Sequence, residues 1–222
     1  LDATGFWDQN TGIVMGDPVN GYLYVLKTTD AGESWRRIPK TRLPPGLLME
    51  GGYAASGTCL EIFGQSYAWM GTGGDSARVY FTADQGENWV VKTTPVLSGS
   101  QMKGIYALSF KNADTGIAAG GEWNNPDPPK SRAYTTDGGM TWELGKGVDS
   151  YCSGSCHVMG NRFLTCGQSR IDISEDNGKT WFHISDEHLY GLAFSEDGRV
   201  GFGTGPNGKI VKLSFIGRNE HQ

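Results

Sequence analysis

The 222-residue sequence predicts an all-β fold built from repeated four-stranded sheets, and three observations predict it. Glycine, at 34 residues, runs at roughly twice ordinary usage. Aromatic residues make up 11% of the chain and charged residues only 19%. That is the mixture of many tight turns and many buried rings. One octet recurs four times, and no stretch of ten or more residues carries the apolar period of a helix. A disordered chain would be richer in charge and poorer in aromatics. Collagen would need glycine at every third position. No apolar run approaches the ~18 residues of a membrane-spanning helix. The net charge of −5 argues against a nucleic-acid partner, which usually meets a basic stripe.

The elements follow in chain order. The first octet holds Thr28, Asp30, Gly32 and Trp35, and the strand-like run Leu23, Tyr24, Val25, Leu26 leads into it. Thr82, Asp84, Gly86 and Trp89 form the second, between Val79, Tyr80, Phe81 and the pair Val90, Val91. Thr135, Asp137, Gly139 and Trp142 form the third. Ser174, Asp176, Gly178 and Trp181 form the fourth, followed by Phe182, His183 and Ile184. The aspartates stand 54, 53 and 39 residues apart (84 − 30, 137 − 84 and 176 − 137). In each octet the Asp carboxylate can accept turn N–H groups. The glycine supplies a left-handed conformation, and the tryptophan buries a ring as the next strand begins. Each octet is thus a hairpin turn. Upstream lies a second apolar hairpin, such as residues 105–110 and 117–120 around a turn at 112–116. Four strands per 40 to 50 residues describes propeller blades. Residues 190–213 form a final partial blade, and 218–222 a C-terminal tail.

The octets resemble Asp-boxes, also called BNR repeats, which occur in the β-propellers of sialidases, sortilin-type receptors, xyloglucanases and photosystem II assembly factor-like proteins. Further segments resemble the bacterial photosystem II stability/assembly factor-like group: Phe6-Trp7-Asp8, Gly16-Asp17-Pro18-Val19, Glu50-Gly51-Gly52-Tyr53-Ala54-Ala55-Ser56, Thr72-Gly73-Gly74 and Gly120-Gly121-Glu122. The resemblance implies a β-propeller of four-stranded antiparallel blades with Asp-box turns. About five blades are visible, either closing as a short ring or forming part of a larger, seven-bladed one. One domain over 1–217 is expected. The resemblance also implies a protein-binding or assembly scaffold.

Box residues have a structural task, and in such propellers they lie far from the axis. The candidates for binding are residues at the ends of inner strands, which surround a propeller's central channel: Asp17, Glu50, Arg78, Glu122, Tyr151 and Arg170, with Trp123 on the Pro-rich loop 123–129. Converging carboxylates and arginines can hold a peptide, a sugar or a cation. A sialidase needs three arginines on the substrate carboxylate, and only one or two inner arginines are visible. Arg36-Arg37-Ile38-Pro39 follows a box instead of preceding the first one. A xyloglucanase-type hydrolase needs two carboxylates a few ångströms apart, for which Asp17 with Glu50 or Glu122 are the candidates. No catalytic residue, metal or cofactor is assigned.

Cys59, Cys152, Cys156 and Cys166 are even in number, which fits disulfides and an extracytoplasmic compartment. A bridge involving Cys152 or Cys156 is the expectation, with zinc disfavoured for want of a second Cys/His cluster. The run from Gly203 to Lys209 matches a nucleotide loop only in part, and its Asn-Gly reads as a turn before a strand. The expected function is a non-catalytic scaffold for a protein partner. A carbohydrate-active enzyme or lectin using the axial face is the alternative.

Overall fold

A computed structural model describes residues 1–54 and 57–215. Residues 55 and 56 of the Glu50–Ser56 segment, and the tail at 218–222, lie outside the described residues.

Five antiparallel sheets follow one another along the chain. Blade 1 is β1 (Ala3–Phe6), β2 (Gly12–Val19), β3 (Tyr22–Thr28) and β4 (Arg36–Arg37). Blade 2 is β5 (Leu60–Phe63), β6 (Tyr67–Gly71), β8 (Arg78–Thr82) and β9 (Val90–Thr93), interrupted by the short β7 (Gly73–Gly74). Blade 3 is β10 (Ser100–Phe110), β11 (Gly116–Glu122), β12 (Arg132–Thr135) and β13 (Glu143–Leu144), with β7 added beside β10. Blade 4 is β15 (Gly154–Met159), β16 (Arg162–Cys166), β17 (Ile171–Ser174) and β18 (Thr180–Ser185). A parallel pairing adds β14 (Lys146–Gly147) to the outer edge of β18. Blade 5 has three strands, β19 (Gly191–Phe194), β20 (Val200–Thr204) and β21 (Ile210–Ser214). The four box-bearing blades and the partial fifth expected from the octets are all present.

Each octet closes the third strand onto the fourth, by one hydrogen-bond scheme throughout. In the first, Asp30 Oδ1 accepts from the Ser34 backbone N–H (2.9 Å) and the Thr28 hydroxyl (2.7 Å). Asp30 Oδ2 accepts from the Ser34 hydroxyl (2.5 Å). These bonds, led by Ser34, hold the Asp30 carboxyl down at about 2. The glycine N–H goes to the threonine hydroxyl instead of the aspartate (2.9 Å for Gly32). The tryptophan Nε1–H donates back to the glycine carbonyl, at 3.0 Å for Trp35 and 2.9 Å for Trp89 and Trp181. Asp84, Asp137 and Asp176 repeat the arrangement. All four glycines have positive φ, between 79° for Gly86 and 93° for Gly139, where an L side chain is strained.

Boxes also lock blades together. Gly86 lies over Ile13 and Trp7, Gly139 over Trp69, and Gly178 over Ile117 and Tyr134, each on the preceding blade. Trp69 Nε1–H donates to the Gly138 carbonyl at 2.7 Å, and its ring stacks on Phe110 with centroids 3.7 Å apart. The core is accordingly a series of slabs between sheets. Ile13, Met15, Leu23 and Val25 of blade 1 face Leu60, Met70 and Tyr80 of blade 2. Val158, Leu164 and Ile173 of blade 4 face Leu189 and Leu192 at blade 5.

All four cysteines are free thiols, which corrects the expected bridge. Cys59 and Cys166 are buried small apolar side chains within the slabs, and Cys152 is buried with its thiol donating to the Ser150 carbonyl. Burial pushes the thiols up, to about 11 for Cys59 and about 12 for Cys156, away from the reactive thiolate. Among the described residues no His, Cys, Asp and Glu cluster fits a metal ion. No helix there is long and apolar enough to cross a membrane.

Candidate functional site on the axial face

Antiparallel order puts the boxes and the turns joining first to second strands at one end of the sheets. The turns joining second to third strands, and the loops between blades, stand at the other. That second end carries the sequence candidates.

Glu50 lies in the loop before β5, and its side chain is fully buried. Its Oε1 accepts from the Thr72 hydroxyl (2.6 Å) and from Arg78 Nε (2.9 Å). Its Oε2 accepts from the Leu47 N–H (2.9 Å), the Tyr80 hydroxyl (3.1 Å) and Arg78 Nη2. A carboxylate has about four acceptor sites, so Glu50 has none left for a substrate. Arg78 is equally engaged, donating also to the Pro45 carbonyl at 2.9 Å. This pair braces the 43–51 loop against blade 2. It is not an open anion or acid/base site.

Glu122 and Arg170 are paired too. Glu122 Oε1 lies 3.6 Å from Lys103 Nζ, and Arg170 Nη2 lies 2.9 Å from Asp127 Oδ1 across the Pro-rich loop. Tyr151 is buried, with its ring edge-on to Tyr106 at 5.0 Å. Tyr106 in turn stacks on Tyr53 at 3.9 Å, so tyrosines from the inner ends of blades 2, 3 and 4 form one column. Burial raises all three hydroxyls, to about 12 for Tyr106, and keeps them neutral phenols.

Asp17, at the end of β2, is exposed and makes no ion pair among the described residues. Its Oδ1 accepts from the Gly52 N–H at 3.2 Å. With Leu48, Met49, Tyr53 and Gln101, and with Glu50, Gly51 and Gly52, it lines a cavity of about 250 Å³. The Asp17 carboxylate packs close over Gly51, where a Cβ would stand 2.7 Å from its Oδ1 and displace that side chain.

Near these groups stand exposed apolar side chains, of which the sequence analysis named Trp123 alone. Leu48 is 97% exposed, with Leu47 and Met49 beside it. Tyr53 donates to the Lys103 carbonyl (2.7 Å), which brings its loop to exposed Met102. The Trp123 N–H donates to the Met102 carbonyl (3.2 Å), and the Trp123 ring is 50% exposed. Gln168 then reaches the Trp123 carbonyl (3.2 Å), joining blade 4. Side-chain exposure in a loop has no period to read, so only Trp123 was legible beforehand.

A second buried pair was also missed. Asp172 accepts from Arg132 and from the Ser150 hydroxyl (2.9 Å), while Arg132 lies over the Trp181 ring at 4.8 Å. Aligning the boxes offers a signal. Arg132 stands three residues before Thr135, where Val79 and Ile171 stand before Thr82 and Ser174. A charge in a core register announces a buried partner.

The class defined by this fold and these turns is the Asp-box β-propeller. The BNR/Asp-box repeat model matches residues 133–144, the third box with its flanking strands. Among solved structures the chain is similar to YCF48 bound to D1 peptide, with 15% identity and a TM-score of 0.59 over 95% of this chain and 62% of that one. It is similar to the GH74 enzyme of Niastella koreensis, with 15% identity and a TM-score of 0.67 over 93% of this chain and 34% of that one. It is also similar to BamB from Moraxella catarrhalis, with 13% identity and a TM-score of 0.54 over 98% and 58%. The chain therefore spans less than two thirds of each of these three. At such identities the likeness is one of fold. No curated protein matches the sequence.

Proposed function

We propose that the chain, as one domain over 1–217, is a non-catalytic propeller scaffold that holds a segment of a protein partner against its axial face. The observation that carries this reading is the pairing of every charged candidate except Asp17. Glu50 with Arg78, Glu122 with Lys103 and Arg170 with Asp127 neutralise one another. What remains open is the strip of Leu48, Met49, Met102 and Trp123, rich in the methionine and aromatic side chains favoured at protein interfaces. One neighbour of the same fold was solved with a peptide bound, which supports a peptide or extended segment as the occupant.

A glycoside hydrolase or lectin is the second reading. It is favoured by the free carboxylate of Asp17 beside Tyr53 in the cavity and by the likeness to a GH74 enzyme. A screen of fluorogenic glycosides and a glycan array separates the two. The scaffold reading expects no turnover above background. Turnover that disappears in Asp17→Asn or Glu122→Gln contradicts it.

A further inference from the structure

Two carboxylates on the axial face, Asp17 and Asp75, make no ion pair among the described residues, although their neighbours do. Glu50 is answered by Arg78, and Glu122 by Lys103. Asp17 Oδ1 holds the Gly52 N–H, while its Oδ2 makes no hydrogen bond among the described residues. Asp75 Oδ2 accepts from the Met49 N–H at 3.0 Å, so both carboxylates flank the loop that exposes Leu48. Burial first, and the Asp17 charge second, push the nearby Asp2 carboxyl upward, as expected beside an unanswered negative charge.

Asp17 stands in a cavity whose walls come from three blades. It lies at the end of β2, Leu48 and Met49 belong to the loop before β5, and Gln101 belongs to β10. The cavity thus opens where blades 1, 2 and 3 meet. Its hydrogen-bonding character is one-sided. The N–H groups of Met49, Glu50, Gly51 and Gly52 are all donated within the protein, and so is the Tyr53 hydroxyl. Glu50 has no acceptor site left, and Gln101 carries the one side-chain donor that is not spent among the lining residues. An incoming anion finds few donors here. An incoming cation finds a free carboxylate oxygen.

From this charge complementarity we infer that the cavity receives the ammonium or guanidinium group of a lysine or arginine in the bound segment. The inference rests on the scaffold reading above and names the chemistry of its partner. Any segment that covers Leu48 and Met49 also takes water from Asp17, and a carboxylate stripped of water is costly unless a cation answers it. The basic group donates to Asp17 Oδ2 in a charge-assisted bond. Its methylene stem packs on Leu48 and Met49, as long basic side chains do on apolar surface. The residues beside it in the segment are apolar and reach exposed Met102, next to Gln101.

Short peptides with apolar flanks and Lys, Arg, Gln or Glu at the centre, read by fluorescence anisotropy, test this. The parent should bind the Lys or Arg set at least about fivefold more tightly than the Gln set, and the Glu set least of all. Asp17→Asn keeps an acceptor for the Gly52 N–H and should abolish the difference between Lys and Gln. Asp17→Lys should turn the preference to Glu. Binding that Leu48→Ser weakens but that is indifferent to the central residue overturns the inference and leaves the scaffold reading standing. A preference for Lys that survives Asp17→Asn overturns it as well. Failure of every set to bind contradicts both.

Discussion

Glu61 shows how much one side chain's surroundings decide. It sits on the inner strand β5, and a 3.4 Å bond from the Phe110 N–H is its one hydrogen bond among the described residues. Burial pushes its carboxyl up to about 7, against that bond. A folded-state value above the unfolded one means that the native protein holds a proton the unfolded chain releases. The stability Glu61 contributes is complete below about pH 4.5 and is lost as pH rises through 7. Glu61→Gln should therefore leave the urea midpoint near pH 4 unchanged and raise it above the parent's at pH 8. Equal midpoints at pH 8 would show the carboxylate to be solvated. By contrast, Glu50 is more deeply buried but surrounded by donors, and its role is to brace a loop. Two glutamates on neighbouring segments thus differ in partners alone, which composition does not record.

At the scale of the element, the box was legible because its chemistry is local. Aspartate, hydroxyl, glycine and tryptophan lie within eight residues, and every bond among them closes inside that span. What joins one blade to the next was legible only in part, because it depends on register between sheets. Trp69 reads as an ordinary strand residue, yet it stacks on Phe110 and bonds to the Gly138 carbonyl of the next blade's box. Trp69→Ala should cost about 3–5 kcal/mol in chemical denaturation, through lost burial and the cavity left behind. Phe182→Ala, at an exposed ring on blade 4, serves as the contrast and should change little. A small loss at Trp69 would mean that blades 2 and 3 are not coupled through it. Arg132 and Asp172 belong to the same category: forty residues apart in sequence, they meet only when blades 3 and 4 are stacked.

For the whole molecule, the repeat spacing anticipated four complete blades and a partial fifth, and the sheets follow that count. The axial positions were anticipated as a place, with their pairing left open. Asp17, Glu50, Arg78, Glu122, Tyr151, Arg170 and Trp123 do come to one end of the blades. There the charged ones other than Asp17 are paired, Tyr151 is buried in a column of tyrosines, and Trp123 stands in an apolar strip. Pairing of this kind depends on distances that a linear pattern does not carry.

The working surface proposed for this chain is the exposed apolar strip, and not a catalytic pair. An array of overlapping peptides, read with the parent chain and with a Leu48→Ser, Trp123→Ala variant, tests it most directly. Both positions are exposed, so the variant should keep the parent's thermal midpoint. Peptides enriched in apolar residues should bind the parent and lose at least about tenfold in affinity with the variant. Peptides bound equally well by both proteins, or none bound by either, would contradict it.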